Sequence, residues 1–518
     1  DLRRPLWLVW AAAWVLLLTG CANVGGLLLS RSAPRRREMA IRISLGATRG
    51  QILRQLLVES LLLGLLGGAA GLLMAGFAVS LLPGLRIPRG QLLALVTLDW
   101  RLLFYGLALA LLSSVFFGLT PALQLLRESQ FAAMVRSRRR WFQDGLVTAE
   151  VAGTLALLVV TSLLLRSLWR VQHLPPGFEP RHITTAFLLK PKNDPGFLTR
   201  LEEALRASPG LEATALAYPV PFSGGGLTSS FRIRNRERRP GEPEWHGEAY
   251  IISPGYFRTL RIPLLRGREI LDSDGANAPR VCLIDAKLAE RFFPNQDPLG
   301  REIAMYGGWA RIVGVVGAIR GTTLEEGSRP VVYYSLPQLP FFPQAAVVAR
   351  TRGSAVPAIR AAVRRTNPLV PLYDVKSMEE RIGESLGIRR VMVWLLASFG
   401  AISLLLATVG LHSVVAQLVG ERTAEVGLRM ALGAQPRQIL AQFMRQGLRS
   451  GVIGILIGLA AAAYAQKWLT GFLYQVKPYD LVSFAAASVG ILALLSLAVW
   501  RPARRASRID PQAALRYE

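Results

Sequence analysis

Seven long apolar runs constrain this chain more than any other feature of its sequence. A helix needs about 20 apolar residues to cross the hydrocarbon core of a bilayer, which is about 30 Å thick. Apolar runs this long and this numerous are not typical of helices buried inside a water-soluble protein. The sequence therefore predicts seven membrane-spanning helices, at about residues 6–29, 56–83, 101–126, 146–169, 390–418, 448–470 and 481–500.

Glycines recur at short spacing around two of these runs. Small residues let membrane helices approach each other closely, so we expect both runs to pack tightly against a neighbouring helix. The glycines are Gly64, Gly67, Gly68 and Gly71 in the second run, and Gly447, Gly451, Gly454 and Gly458 at the sixth.

Residues 171–389, between the fourth and fifth runs, have the composition of a water-soluble domain. Short β-rich runs alternate there with helical patterns, which predicts an α+β fold. Strands are expected at 184–189, 231–234, 281–284, 311–316, 331–334 and 345–349, and helices at 195–207, 286–293 and 355–366. The predicted fold is therefore an all-α membrane bundle with an inserted α+β domain.

Arginine dominates a strongly basic charge balance. The chain carries 61 Lys and Arg against 34 acidic residues, and only six of the 61 are Lys. Such a balance is also found in proteins that bind nucleic acids. Here, however, the densest Arg clusters lie beside apolar runs, and no nucleic-acid-binding motif is present. We therefore expect a lipid bilayer, and not a nucleic acid, as the partner of these arginines.

The distribution of Arg predicts how the chain is oriented in a membrane. Seven, five, four and five Arg lie in segments 30–55, 127–145, 419–447 and 501–518. Segment 84–100 has only two Arg, and 471–480 has a single Lys. Because Lys and Arg concentrate in cytoplasmic loops, the Arg-rich segments and the C-terminus are expected in the cytoplasm, and residues 171–389 on the opposite, outer side of the membrane. The arginines that run against this rule are Arg3, Arg4, Arg166, Arg170, Arg389 and Arg390.

The residues that could carry chemistry do not form a recognisable site. Cys21 lies in an apolar run and Cys282 in the inserted domain, so no disulfide is expected. The four His and two Cys lack metal-ligand spacing. No Gly-Lys dipeptide occurs, so a phosphate-binding P-loop is missing. The sequence predicts no catalytic residue, metal or cofactor, and we interpret as solvated the acidic residues Asp272, Asp274, Glu325 and Glu326.

Two features of the first apolar run have alternative interpretations. Residues 18–21 resemble the end of a lipoprotein signal. The run continues past Cys21, however, and cleavage there would send the Arg-rich segment outward, so a membrane-spanning helix is preferred. Asn23 is the most polar residue inside this run. With no charged partner evident, we assign it to helix packing and not to a proton or ion path.

An internal repeat relates the two ends of the chain. Residues 37–53 match residues 424–440 at an offset of 387. A second match lies farther along the chain, at an offset of 381. In each copy an Asp precedes a predicted helix and a Pro-Ala pair follows that helix. Only the second copy is preceded by its own helix and by the inserted domain, so we expect a helix and an outer domain to precede residue 1 in the natural chain. The downstream pairs are Asp99 with Asp480, and Pro121-Ala122 with Pro502-Ala503.

Each copy of the repeat predicts an elbow between two membrane helices. Glu stands four residues before Arg, the favourable orientation of a helical ion pair, and a Leu-Gly-Ala sequence follows. Gly46 and Gly433 can end a short helix, while Thr48 and Pro436 can begin the next one. A helix that only floats on lipid would not need these residues in both copies. We therefore predict a docking surface for a cytoplasmic partner, formed by Glu38, Arg42, Leu45, Gly46, Ala47, Glu425, Arg429, Leu432, Gly433 and Ala434.

These residues resemble a known family. The segment RRREMAIRISLGATRGQIL, its second copy ERTAEVGLRMALGAQPRQIL and the ending RPARRASRIDPQAALRYE are similar to MacB/FtsX-type ABC transporter permeases, in particular to the duplicated permeases of that superfamily. In the inserted domain, residues 253–270, 281–303 and 311–321 resemble the MacB-like periplasmic core domain. The resemblance implies two FtsX-like permease units, 1–145 and 390–518, a transmembrane helix at 146–170, and a periplasmic domain at 171–389.

The resemblance also implies a function without ATP chemistry in this chain. A separate cytoplasmic ABC ATPase would dock on residues 35–49 and 422–436, here called the first and second elbows. Its motion would reach the periplasmic domain and drive export. Two alternatives stay open: an FtsX-like scaffold that relays signals to a periplasmic adaptor or hydrolase, and an orphan permease that works without an ATPase.

Overall fold

The computed structural model describes residues 7–21, 23–24, 45, 48–81, 99–127, 132–238, 240–306, 308–325, 327, 329–339, 342–469, 474 and 480–508. The chain divides into two compact units. We call residues 1–170 and 389–518 the helix unit, and residues 171–388 the sheet unit.

The described helices follow the predicted apolar and amphipathic patterns. In chain order they are α1 (Trp7–Cys21), α2 (Arg49–Leu81), α3 (Trp100–Arg127), α4 (Ala132–Gln172), α5 (Phe197–Arg206), α6 (Tyr256–Leu260), α7 (Ala286–Phe292), α8 (Val356–Thr366), α9 (Met378–Ser385), α10 (Gly387–Glu421), α11 (Thr423–Ala431), α12 (Pro436–Leu469) and α13 (Leu481–Ala506).

Five helices in the described part of the chain are long and apolar enough to cross a membrane. Shorter apolar helices, Trp7–Cys21 and Leu103–Leu112, lie in the first and third predicted runs. The prediction of several membrane helices is confirmed, while their number, seven, stays a prediction. The five long segments are Leu53–Phe77, Gln143–Gln172, Gly387–Glu421, Pro436–Gln466 and Leu481–Ala506.

Glycines on α12 bring its backbone against α4, as the sequence predicted for this run. A Cβ atom at Gly454 would lie 2.7 Å from the carbonyl oxygen of Thr148, and one at Gly458 would lie 2.7 Å from that of Ala152. On α2, Gly64 and Gly68 face α3, but Gly67 and Gly71 have no atom within 4 Å of an added Cβ. The close-packing prediction is therefore right for α12 and right for only half of the glycines on α2.

The sequence analysis placed a Pro-Ala pair after each of two helices of the repeat. In the structure both pairs lie inside their helices. Helix α13 continues through Pro502 to Ala506, and α3 continues past residue 121 to Arg127. A proline inside a helix removes one backbone hydrogen bond and crowds the preceding turn. In α13 the last turn is held by packing, because Pro502, Ala503 and Ala506 are all buried.

The sheet unit is built on one twelve-stranded mixed sheet. The strands hydrogen-bond in the order β12-β1-β11-β2-β5-β10-β7-β9-β8-β4, with β3 on β5 and β6 on β9. Their bounds are β1 (Ile183–Leu189), β2 (Ala213–Tyr218), β3 (Leu227–Ser230), β4 (Arg232–Ile233), β5 (His246–Ile252), β6 (Leu264–Gly267), β7 (Val281–Asp285), β8 (Glu302–Ala304), β9 (Trp309–Val316), β10 (Val331–Ser335), β11 (Gln344–Arg350) and β12 (Leu372–Ser377).

All six predicted strands and all three predicted helices of this unit are present, as β1, β4, β7, β9, β10, β11, α5, α7 and α8. The α+β prediction is therefore confirmed, although the sequence missed half of the strands. The apolar sides of α5, α7 and α8 pack into one core with the buried residues of β1, β7 and β11.

Candidate functional site

The second elbow begins with a short amphipathic helix, α11, directly after α10. Its Thr423 hydroxyl donates a hydrogen bond of 3.0 Å to the Val419 carbonyl in the last turn of α10. On one side of α11, Val426 is buried against side chains of α12 and α13. We call this apolar group the elbow core; it consists of Val426, Ile439, Phe443, Ala503 and Ala506.

Gly433 ends α11 in the way that the sequence predicted. Its φ of +96° lies in the left-handed region, where glycine avoids the clash that a Cβ atom would cause. The Gly433 N–H donates to the Met430 carbonyl and the Ala434 N–H to that of Arg429, which is the Schellman pattern of a helix C-terminus. The chain therefore turns sharply, and α12 begins at Pro436.

Both elbows close onto the following helix with a glutamine. In the first, the Thr48 N–H donates to Gln51 Oε1 at 2.9 Å, and the Gln51 N–H donates to Thr48 Oγ1 at 3.4 Å. In the second, the Gln435 N–H donates to Gln438 Oε1 at 3.2 Å. The reciprocal bonds of the first elbow and the single bond of the second satisfy donors that a helix N-terminus leaves free. The sequence alignment had paired Gln51 with Gln438 without recognising this role.

The predicted ion pair of the second elbow is present. Glu425 and Arg429 are joined by a contact of 2.5 Å between Oε1 and Nη2. Arg429 also donates to Gln442 of α12 at 3.1 Å, and Arg422 lies 3.9 Å from Glu425. The sequence analysis missed Gln442, because its contact depends on how α11 folds back against α12. It also missed Arg422, although this residue is three positions before Glu425, a spacing at which helical side chains meet.

Three leucine side chains are exposed in the described residues of the elbows. Leu432 is 80% exposed, and its repeat partner Leu45 is also 80% exposed. Leu428, one turn before Leu432, is 52% exposed and was not singled out from the sequence. Ala434 is half-buried against the elbow core. The remaining predicted residues of the first elbow, Glu38, Arg42, Gly46 and Ala47, lie outside the described residues.

The interpretation of Asp274 as a solvated acidic residue is wrong, because this side chain is buried, whereas Asp272 is exposed and Glu326 lies outside the described residues. Arg206 contacts Asp272 at 2.9 Å, and Arg268 contacts Asp274 at 2.6 Å. The Arg268 guanidinium and the Leu271 N–H lower the pKa of Asp274, against the opposing effect of its burial. Within the described residues, no group of three His, Cys, Asp or Glu side chains could hold a metal ion.

Together these observations define a class. The chain is a membrane protein whose apolar helices are interrupted along the sequence by a large α+β domain, and its sequence repeats the elbow segment. The family described as FtsX-like permease C-terminal matches it twice, at residues 10–130 and 397–511. The two matches start 387 residues apart, the offset of the repeat. The MacB-like periplasmic core domain matches residues 171–366. The chain therefore belongs to the MacB/FtsX-type ABC transporter permeases.

Several known proteins are similar to it. The uncharacterized ABC transporter permease YknZ of Bacillus subtilis is 29% identical over 282 residues, which cover 52% of this chain and 69% of that protein. The macrolide export ATP-binding/permease protein MacB of Marinobacter nauticus is 27% identical over 59% of this chain and 48% of MacB. The pyoverdine export ATP-binding/permease protein PvdT of Pseudomonas syringae is 30% identical over 49% of this chain and 40% of PvdT.

Among solved structures, the periplasmic region of MacB from Actinobacillus actinomycetemcomitans aligns with 41% of this chain and 95% of its own length, at 14% identity and a TM-score of 0.29. The chain spans about half the length of the MacB and PvdT relatives.

Proposed function

We propose that this chain is the permease of an ABC-type exporter, driven by a separate cytoplasmic ATPase that docks on the two elbows. The observation that carries the proposal is the second elbow, where exposed Leu428 and Leu432 lie beside the Glu425–Arg429 pair on a fixed short helix. A charged pair beside exposed leucines is suited to a protein partner that supplies an apolar groove with a polar rim.

The leucines set the scale of the docking energy. Burying a leucine that is otherwise exposed contributes about 2 kcal/mol. This corresponds to a change of about 30-fold in Kd for each leucine. Exposed apolar groups at corresponding positions of both copies are explained by a partner that covers them, because neither leucine supports the elbow itself.

The elbow core explains how docking would move the membrane helices. Val426 of α11 packs with Phe443 of α12 and Ala503 of α13, and α10 runs directly into the elbow. A partner that pulls on α11 therefore displaces three helices together. Because packed cores have discrete arrangements, such a pull shifts the helices as a body instead of deforming one locally.

Export is the function class that the relatives favour. MacB and PvdT carry export in their names, for macrolides and pyoverdine. For this chain we propose export from the periplasmic side, with a periplasmic adaptor as a further partner. The scaffold and orphan alternatives differ from this in whether an ATPase and transport are involved.

Copurification tests the proposal. The full chain is purified from its host in mild detergent, and the bound material is assayed for ATP hydrolysis and for ABC ATPase peptides. The variants are Leu432→Asp, Leu45→Asp and the two combined, together with Glu425→Lys. The matched control is Leu369→Asp, because Leu369 is 88% exposed but lies in the sheet unit. We expect each elbow leucine variant to retain less ATPase than the wild type, and the double variant to retain none.

Each other outcome points to a named alternative. Equal retention by the double variant and the wild type would remove the elbows from the coupling role. Retention of a periplasmic hydrolase together with the ATPase, without any change in export, favours the scaffold. If the wild-type chain, purified with its host's ATPases present, retains no ATPase, the orphan permease is the correct assignment.

A further inference from the structure

Three helices of the helix unit meet at a buried polar contact, which has no part in the proposed docking of an ATPase on the elbows. Glu150 of α4 is 4% exposed, and Asn23, which follows α1, is 6% exposed. Both side chains lie against Gly410 of α10. A Cβ atom there would be 2.3 Å from Asn23 Oδ1 and 2.8 Å from Glu150 Oε2. Glycine at this position thus leaves room for two side-chain oxygens that converge on one point.

The polar atoms of this contact are unsatisfied. Among the described residues, Glu150 Oε1 and both polar atoms of the Asn23 amide are buried without a hydrogen-bond partner. The sequence had assigned Asn23 to helix packing because no charged partner was evident. The structure places the carboxyl group of Glu150, from another helix, near the same Gly410 position as this amide.

Other titratable groups on the adjoining helices do not neutralise this carboxyl. Asp144 of α4 accepts a hydrogen bond from Ser450 at 3.2 Å. His412 of α10 has its Nδ1 3.0 Å from the carbonyl oxygen of Ala498. Cys21 of α1 carries no positive charge, and Arg449 of α12 forms no ion pair with Glu150 among the described contacts. An ionised Glu150 would therefore be an uncompensated charge inside the bundle.

A proton fits this place better than a metal ion. An ionised carboxylate without a counter-charge inside a membrane bundle costs several kcal/mol. The charge must therefore be neutralised by a proton or paired with a cation. Hard metal cations take about six or more oxygen ligands, whereas the three atoms nearest to this point include two oxygens, Asn23 Oδ1 and Glu150 Oε2. A proton on Glu150 removes the charge and also supplies the O–H donor that Asn23 Oδ1 lacks.

We propose that Glu150, Asn23 and Gly410 form an intramembrane proton-binding site, in which neutral Glu150 donates a hydrogen bond to Asn23 Oδ1. The site joins α1, from the first permease unit, to α4 and α10. The proton comes from solvent and returns to it. Its release leaves a charge that must be hydrated, which requires α1 to separate from the other two helices. The contact between the repeats is therefore sensitive to proton uptake.

Infrared spectroscopy of the full chain tests this site. The protein is held in an ester-free detergent, so that the stretching band of a protonated carboxyl group is not obscured by lipid. We expect the wild type at neutral pH to show a protonated-carboxyl band that Glu150→Gln lacks. Asp144→Asn is the matched control on the same helix and should keep the band. Asn23→Ala should shift the band, because the acceptor of its O–H is lost.

Two outcomes overturn the proposal. If the wild type shows no protonated-carboxyl band at neutral pH, Glu150 is ionised and the site does not hold a proton. If added Na⁺ abolishes the band at constant pH, the occupant is a metal ion. Where Glu150→Gln does not fold, titrating Asp285→Asn decides the first point, because this variant lacks the Asp285 carboxyl, which also titrates near neutral pH. Because no variant touches an elbow, these results are independent of ATPase retention.

Discussion

A single glycine fixes the turn of the second elbow. Gly433 adopts a backbone conformation that suits glycine, and an added Cβ there would meet no atom within 4 Å. Any effect of substitution at this position is therefore a backbone effect and not a steric clash with neighbours.

Replacing Gly433 by Ala is expected to destabilise the second elbow by about 1–2 kcal/mol, because an L-residue in the left-handed region is strained. Hydrogen exchange of the peptides that cover 423–435 in the full chain should become faster. Gly420→Ala is the matched control: Gly420 lies inside α10 with open space around it. Alanine there should slow exchange or leave it unchanged. If Gly433→Ala and Gly420→Ala protected residues 423–435 from exchange to a similar extent, the backbone role assigned to Gly433 would be contradicted.

Asp285 is a second residue whose environment predicts a measurable effect. Its side chain accepts hydrogen bonds of 2.9 Å from the N–H groups of Leu288 and Val331, which joins the start of α7 to β10. Burial nevertheless raises the pKa of Asp285 to about 7, while these hydrogen bonds act in the opposite direction. The nearby Tyr333 is also buried, and Lys287 carries the closest positive charge.

The sheet unit is therefore expected to lose stability as the pH rises. Between the ordinary pKa of an aspartate and about 7, the folded state binds the proton that the unfolded state has released. The full effect is at most about 4 kcal/mol. Asp285→Asn keeps one acceptor without the charge, so its stability should vary less with pH. Pulse proteolysis of the full chain in urea, at about pH 5 and about pH 8, measures the difference. If the stability of the wild type and that of Asp285→Asn depended equally on pH, Asp285 would not be the source of the pH dependence.

Among the elements, α12 shows how a glycine series sets a helix contact. Its Gly447 faces Val415 and Val499, Gly451 faces Leu495, and the next two glycines face the backbone of α4. One face of α12 is therefore in contact with α10, α13 and α4. Because the Cβ positions at the α4 contact are blocked by backbone atoms, no side-chain rotation can relieve a substitution there.

Gly458→Ala should lower the thermal stability of the helix unit. The added methyl would lie 2.7 Å from the Ala152 carbonyl oxygen, and overpacking of this kind costs about 1–3 kcal/mol. Gly490→Ala in α13 is the control, because an added Cβ there meets nothing within 4 Å. Thermal unfolding in detergent should separate the two variants by several degrees. Equal melting temperatures would show that α12 and α4 can move apart freely.

For the whole molecule, the decisive question is which side of the membrane each part faces. The elbows must be cytoplasmic if an ATPase is to reach them, and the MacB-like domain must then face the periplasm. Two leucines suit a test of this arrangement, since Leu432 and Leu369 are both largely exposed and lie in different units.

Single cysteines are placed at these positions in a chain whose own Cys21 and Cys282 are replaced. In intact cells with a permeabilised outer membrane, an impermeant maleimide should label Leu369→Cys and leave Leu432→Cys unlabelled. After cell lysis both should react, which controls for access. Labelling of Leu432→Cys from outside would place the second elbow in the periplasm, where no ATP-driven partner could bind it.

The sequence by itself determined the features that depend on local pattern. Hydrophobic run length predicted the membrane helices, alternating patterns predicted half of the strands, and the repeat predicted the Glu425–Arg429 pair and the turn at Gly433. Each of these depends on neighbours a few residues apart, whose spacing along a helix or strand is set by backbone geometry. Of the strands that were missed, β3, β6 and β8 are at most four residues long, whereas β2, β5 and β12 have six or seven residues.

Only the tertiary structure decided which distant residues meet. Glu150 and Asn23 lie on different helices and come together at Gly410, and Gln442 reaches Arg429 because α11 folds back on α12. Likewise, α13 passes through Pro502 since burial of the final turn outweighs a local preference to end there. Contacts between helices depend on packing over the whole bundle, which no short stretch of one sequence encodes.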